Sequence, residues 1–259
     1  MRYSTGMAVL CCCASLVVCA AQAAEWQDIE LQLLHGSGFK EPFNPRSVSK
    51  TTASLQHAAG YSWGSSYAYV DFLKSDAAER HAEEFFAEAY VYPSLSRLTG
   101  RSWSASIVKD VALSAGVNYG EKNDGANPKA LLAGVIFFFD LPSFAFAQMS
   151  THAYFDRGEF KGQPTGCQGD GYQITPAWSL PFQLSTAKLT FEGFVDYTSA
   201  HGQCHDQLLT QPQLRVDVGD FFGMPKKLFA GIEYQYWQNK FGIKGLNDEV
   251  PQALLVWKF

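Results

Sequence analysis

Apolar and polar residues alternate along much of this chain. Ile29, Leu31 and Leu33 are interleaved with Asp28, Glu30 and Gln32. Val111, Leu113, Ala115 and Val117 alternate with Ala112, Ser114, Gly116 and Asn118. Leu189, Phe191, Gly193, Val195 and Tyr197 alternate with Lys188, Thr190, Glu192, Phe194 and Asp196, and Leu214, Val216 and Val218 with Gln213, Arg215, Asp217 and Gly219. Successive strand residues point to opposite faces, so each stretch carries one apolar and one polar side. No stretch after the N-terminal segment suits a helical membrane span. The most apolar run, Leu131 to Phe139, stops at Asp140 and Pro142, short of the ~20 residues required.

A soluble sandwich hides the apolar face of such strands, whereas a membrane barrel turns it to lipid and keeps the polar face in the lumen. The spacing favours the barrel. Short turns are expected at Trp63 to Ser66, Leu141 to Phe144, Pro181 to Thr186 and Gly219 to Lys226, with longer polar loops near 36–50, 73–83, 119–130, 156–171, 199–210 and 240–249. Six long loops imply about twelve strands, an even number as single-chain bacterial barrels require. The expected fold is therefore all-β, a transmembrane antiparallel barrel with both termini periplasmic. The C-terminal row Pro251, Ala253, Leu255, Trp257 and Phe259 alternates up to a terminal aromatic. That ending resembles the signal read by barrel-assembly machinery, with Phe259 as the contact.

Composition fits this picture. Of the 259 residues, 15% are aromatic and only 17% charged, yet mean hydropathy is −0.11, too polar for a helical bundle. A net charge of −5 gives no footprint for a nucleic acid polymer, and the aromatic content argues against disorder.

The N-terminus reads as an export signal. Arg2 is the only charge before Glu25, Met7 to Ala21 is apolar, and Ala21 to Ala24 offer a small-residue cleavage site. The expected division is a cleaved signal over 1–24 and an outer-membrane barrel over 25–259. Val18 before Cys19 argues against a lipoprotein. Cys11, Cys12, Cys13 and Cys19 leave with the signal, so Cys167 and Cys204 remain. In an exported protein two cysteines point to one disulfide, with two free thiols as the alternative. The strand count places them in the fourth and fifth outer loops, on the same side.

Several segments resemble the Tsx-type nucleoside-specific channels and the related OmpK-type outer-membrane proteins. They are Tyr67-Ala68-Tyr69-Val70-Asp71, Glu88 with Ser94 through Gly100, Thr175 through Phe182, and Gln211 through Arg215. The similarity is strongest in Gly231-Ile232-Glu233-Tyr234, Gln238 through Ile243, Asp248 through Gln252, and Trp257-Lys258-Phe259. The resemblance implies a twelve-stranded barrel with a narrow lumen passing nucleosides, and outer loops that serve some members as bacteriophage receptors. It transfers no binding residue to this chain.

Turning the polar face inward gives a candidate lining independently of the resemblance. One strand supplies Glu84, Phe86, Glu88, Tyr90 and Tyr92, and another Phe146, Gln148, Ser150, His152 and Tyr154. Later strands add Glu192, Phe194 and Asp196, then Arg215 and Asp217, then Glu233, Gln235 and Trp237. Aromatic rings can stack on a base, carboxylates can accept from sugar hydroxyls, and acidic charge repels phosphorylated solutes. The same charged residues could instead brace the barrel as a salt-bridge network. A lipid-modifying hydrolase needs an assembled nucleophile and base, and neither Ser150 with His152 nor Ser199 with His201 suggests one. His201, Cys204 and His205 lack an evident fourth metal ligand, so no metal or cofactor is expected. A loop-based binding protein around a closed barrel is the other alternative.

Overall fold

The computed structural model describes residues 23–123, 125–160 and 162–259; the expected export signal, up to residue 22, lies outside them. Twelve long strands form one antiparallel sheet that closes on itself. They are β1 (Trp26–Glu41), β2 (Asn44–Tyr61), β3 (Gly64–Ser75), β4 (Glu83–Pro93), β5 (Val108–Lys122) and β6 (Lys129–Phe139). The second half comprises β7 (Phe146–Asp156), β8 (Gly169–Leu184), β9 (Ala187–Thr198), β10 in two pieces (Gln207–Thr210 and Gln213–Asp217), β11 (Leu228–Gln238) and β12 (Asp248–Lys258). Closure runs from Glu30 opposite Lys258 to Gly36 opposite Gln252. It pairs the backbone groups that an open sheet would leave exposed, and a bilayer offers no water to satisfy them. Both termini lie at one end of the barrel, here the terminal end; the opposite end is the loop end.

Alternation decides which way each side chain points. On β1, Glu30, Gln32 and Leu34 are buried inside, while Leu31 and Leu33 are 36% and 47% exposed on the outside. On β12, Val250, Gln252, Leu254 and Val256 face in and Leu255 and Trp257 face out. The apolar face is thus the outer one, an arrangement suited to lipid.

Two connections differ from the sequence expectation. The polar stretch 36–50 is strand rather than loop, because β1 and β2 continue to a turn at Pro42 and Phe43. Its polarity reflects strands that outrun the apolar band. At the terminal end, 94–107 is a long excursion holding one short helix, α1 (Leu95–Thr99). Ser94 caps it by accepting from the Arg97 N–H, and Arg97 in turn donates to Tyr61 O at 2.6 Å and pairs with Glu25 at 3.0 Å.

β10 breaks at Gln211-Pro212, where proline has no N–H to give the ladder. Gly193 on β9 faces the break with φ +157°, and a Cβ there would lie 2.8 Å from Gln211 O.

At the loop end the connections hold one another. Cys167, after β7, is disulfide-bonded to Cys204, after β9. The Gln203 N–H donates to Gly166 O at 2.7 Å, and two-residue strands at 126–127, 159–160 and 163–164 form a small separate sheet. Phe160 meets Phe43 edge-to-face at 5.7 Å, linking loops from opposite sides of the barrel.

Candidate functional site

The barrel interior has two walls of different chemistry. β3 through β7 supply an aromatic and aliphatic wall: Tyr90, Tyr92, Ala112, Leu132 and Ile136 are buried together, with Tyr67, Phe138 and Tyr154 packed against them. Tyr90 and Tyr92 are stacked at 6.0 Å, and Tyr69 lies 6.0 Å from Phe86. Gly116 on β5 seats the Tyr90 ring, because any Cβ at that position would collide with it.

The opposite wall, on β1 and β9 to β12, is a continuous string of polar contacts. From the terminal end, Lys258 lies 3.2 Å from Glu30, which takes both terminal nitrogens of Arg215 at 3.1 Å. Arg215 Nε donates to Gln213 at 2.6 Å, and Gln213 donates to Glu233 at 2.6 Å. Gln211 bridges Glu233 and Gln235 at 3.2 and 3.0 Å, and Gln235 donates to Asp248 at 3.1 Å. Lys240 then joins Asp248 to Glu41, each at 2.9 Å. Glu41 also holds Lys50 at 2.8 Å and Lys122 at 2.7 Å, and both lysines reach Glu84.

A cavity lies toward each end of the lumen. The one toward the loop end holds about 240 Å³ of water-accessible space and is lined by Tyr69, Phe86, Tyr154, Trp237, Asp71, Glu88 and Asp196 among others. The one toward the terminal end holds about 580 Å³ and is lined by Glu192, Arg215, Asp217, Ser179 and Lys258 among others. They share no lining residue, and Glu30, Gln32, Gln213, Glu233 and Gln252, all buried, line neither. These five side chains, with Arg215, form a buried polar layer, the septum, on the wall of β1 and β10 to β12 between the two cavities.

The residues proposed from alternation are therefore split. Phe86, Glu88, Tyr154, Asp196 and Trp237 surround the loop-end cavity, and Glu84 sits at its rim with Lys50 and Lys122. Glu192, Arg215 and Asp217 surround the other cavity, and Glu233 lies in the septum. Tyr90 and His152 line neither cavity: Tyr90 donates to Asn118 at 3.2 Å, and His152 Nε2 shares a 2.6 Å hydrogen bond with Ser114. Phe194 also lines neither, and Phe146 is exposed at the strand end.

Lys50, Lys240 and Glu41 fell in stretches that read as loop, so alternation did not point to them. Tyr69 and Asp71 were legible, since Tyr67, Tyr69 and Asp71 share one strand face.

Neither of the two Ser–His pairs weighed from the sequence is assembled as nucleophile and base. Residues Ser150 and His152 do not bond each other; His152 is paired with Ser114, with its Nδ1 buried and unpartnered. His201 Nδ1 meets the backbone oxygen of Ser199 at 2.7 Å rather than its hydroxyl, which instead accepts from the Tyr172 N–H. His201 Nε2 lies 3.1 Å from Asp156, and this contact raises the histidine pKa above its ordinary 6.5. Among the described residues no cluster of His, Cys, Asp and Glu has a metal-binding arrangement.

A closed twelve-stranded barrel, apolar outside and polar within, defines an outer-membrane protein of the porin class. Solved structures of similar fold include the NanC porin, with TM-score 0.50, 9% identity, and 89% of this chain and 98% of that one covered. The KdgM porin, solved with disordered oligogalacturonate, gives 0.47 at 8% identity over 89% and 99%. The translocator domain of the autotransporter NalP from Neisseria meningitidis gives 0.46 at 13% identity over 95% and 93%. No curated protein matches the chain by sequence. The family model of the nucleoside-specific channel-forming protein Tsx matches residues 22–254. The chain belongs to that family.

Proposed function

We propose that this protein carries nucleosides by passive diffusion across the outer membrane, entering at the loop end and leaving into the periplasm at the terminal end. One observation carries the reading: the loop-end cavity combines aromatic rings with three carboxylates, Asp71, Glu88 and Asp196, that have no ion-pair partner among the described residues. A nucleoside presents a flat apolar base and a hydroxylated sugar. Tyr69, Phe86, Tyr154 and Trp237 can stack on the base, at ~1–3 kcal/mol per ring. The carboxylates accept from the sugar hydroxyls and repel phosphates, favouring the neutral nucleoside over its nucleotide. Neutral hydroxyls exchange among several weak acceptors without leaving a charge stranded, and a conducting path needs multiple weak sites rather than one tight one.

Family membership supports the same solute class, and the porin-class fold accords with a non-enzymatic role. The decisive experiment is a planar-bilayer recording with purified protein. The expected result is an ionic current blocked reversibly by adenosine and thymidine but weakly by their monophosphates. Equal block by nucleoside and nucleotide, or none by either, refutes the assignment.

A further inference from the structure

The septum is polar where it need not be. Beside it the same wall packs aliphatic and aromatic side chains inside the barrel, Leu34, Phe229, Leu254 and Val256 being buried together. A permanent closure gains nothing from buried charge, since well-packed apolar residues of similar volume are commonly as stable or more so. A closure that must open has a different requirement: every charged group needs a partner in both positions.

Arg215 and its partners meet that requirement, Glu192 keeping a 3.0 Å hydrogen bond from the Ser179 hydroxyl. The Arg215 guanidinium is 97% buried and bridges Glu30 on β1 and Glu192 on β9, with Glu192 at 2.7 Å. It is the one septum residue that also lines the terminal-end cavity, together with Glu192 and Asp217. Asp217 lies two positions further along β10, on the same interior face, roughly 6.6 Å away along the strand. Its carboxylate accepts backbone N–H groups from Asp220 at 3.1 Å and Lys226 at 2.8 Å and makes no ion pair among the described residues. Glu30, in turn, is not stranded if Arg215 departs, because Lys258 lies 3.2 Å away and Gln32 donates to it at 2.6 Å.

We propose that Arg215 is the gate residue of this channel, closed when it bridges Glu30 and Glu192, and open when its side chain turns along β10 to Asp217. The swing removes the only cation from the septum among the described residues and exposes the Gln213 and Gln32 amides to whatever passes. Neighbouring groups limit where it can go. From β1 and β12 it faces Glu30, Gln32 and Lys258; from β9, Glu192; from β10 and β11, Gln213, Asp217 and Glu233. Glu192 and Asp217 both line the terminal-end cavity and draw the guanidinium along β10, against Lys188, Lys226 and Lys258, which line it too.

Single-channel recording in potassium chloride alone tests the gate without any nucleoside, so its failure is separate from failure of the solute assignment. The wild type is expected to switch between a low- and a high-conductance level. Arg215→Ala should hold the high level, with a mean current at least threefold that of the wild type. Asp217→Asn keeps an oxygen for the turn but removes the landing charge, and should shorten open intervals at least threefold at unchanged amplitude. Arg215→Ala protein that folds, judged by its heat-dependent gel mobility, and conducts like the wild type overturns the gate. If that variant does not fold, wild-type open intervals in Asp217→Asn overturn it instead.

Discussion

The ammonium of Lys240 lies 2.9 Å from Glu41 Oε1, joining two residues 199 positions apart at the loop end of the barrel. Glu41 is also bound by Lys50 and Lys122, so one buried carboxylate neutralises the centre of a three-lysine cluster. Removing it leaves buried ammonium groups short of a counter-charge, which is far more costly than never having placed the pair there.

Glu41→Gln should therefore lower barrel stability by about 3–5 kcal/mol. Urea unfolding of micelle-bound protein, followed by tryptophan fluorescence, measures the loss. An unchanged midpoint would show that Glu84, Asp248 and Glu79, which also pairs with Lys122 at 2.5 Å, suffice for the three lysines.

The Cys167–Cys204 bond ties the loop after β7 to the loop after β9. Cys167→Ser with Cys204→Ser should cost about 2–4 kcal/mol, expressed mainly in the loops because closure of the sheet does not depend on it. Hydrogen exchange at 199–206 should accelerate while the strands stay protected. Loss of strand protection would mean that the bond is needed for the barrel itself.

His201 gives the loop end a pH dependence. Its pKa is raised by the hydrogen bond to Asp156, with the Ser199 carbonyl also favouring the charged form. A raised folded-state pKa makes the contact fully stabilising below the ordinary histidine value of 6.5, and that stabilisation fades as pH rises through the folded-state value. Protection factors near Cys204, taken relative to intrinsic base-catalysed exchange, should accordingly fall between pH 6 and pH 8, roughly the histidine window. His201→Gln should flatten the profile; a slope that persists in the variant assigns it to another group.

Phe86→Ala should weaken nucleoside block of the current by about 5- to 150-fold, the equivalent of one lost stacking contact. Glu88→Gln combined with Asp196→Asn should move the reversal potential in a salt gradient toward the non-selective value. A double variant with unaltered cation preference would place the selecting charge elsewhere, for instance at the lysine-glutamate rim.

Much of the lumen could be read from alternation. Glu192, Asp196, Arg215 and Asp217 all face inward because their strands keep period two. Alternation gives a face but not a depth. Hence Tyr90 and His152 share the interior face with Glu88, yet sit behind the cavity in contacts with Asn118 and Ser114. The loop assignment at 36–50 failed for a related reason: polarity marks where a strand leaves the apolar band, and β1 and β2 continue past it before turning.

The sequence alone thus determined the strand number, the face each side chain takes and the membrane-facing surface, because these depend on local periodicity and on the chemistry of one residue at a time. Tertiary structure decided everything that depends on distance across the barrel. Glu30 meets Arg215 across 185 positions, and Glu41 meets Lys240 across 199. Strand tilt and register fix which inward residues share a level, and no pattern along a single strand encodes that. The division of the lumen into two cavities and a polar septum follows from those levels, not from any one segment.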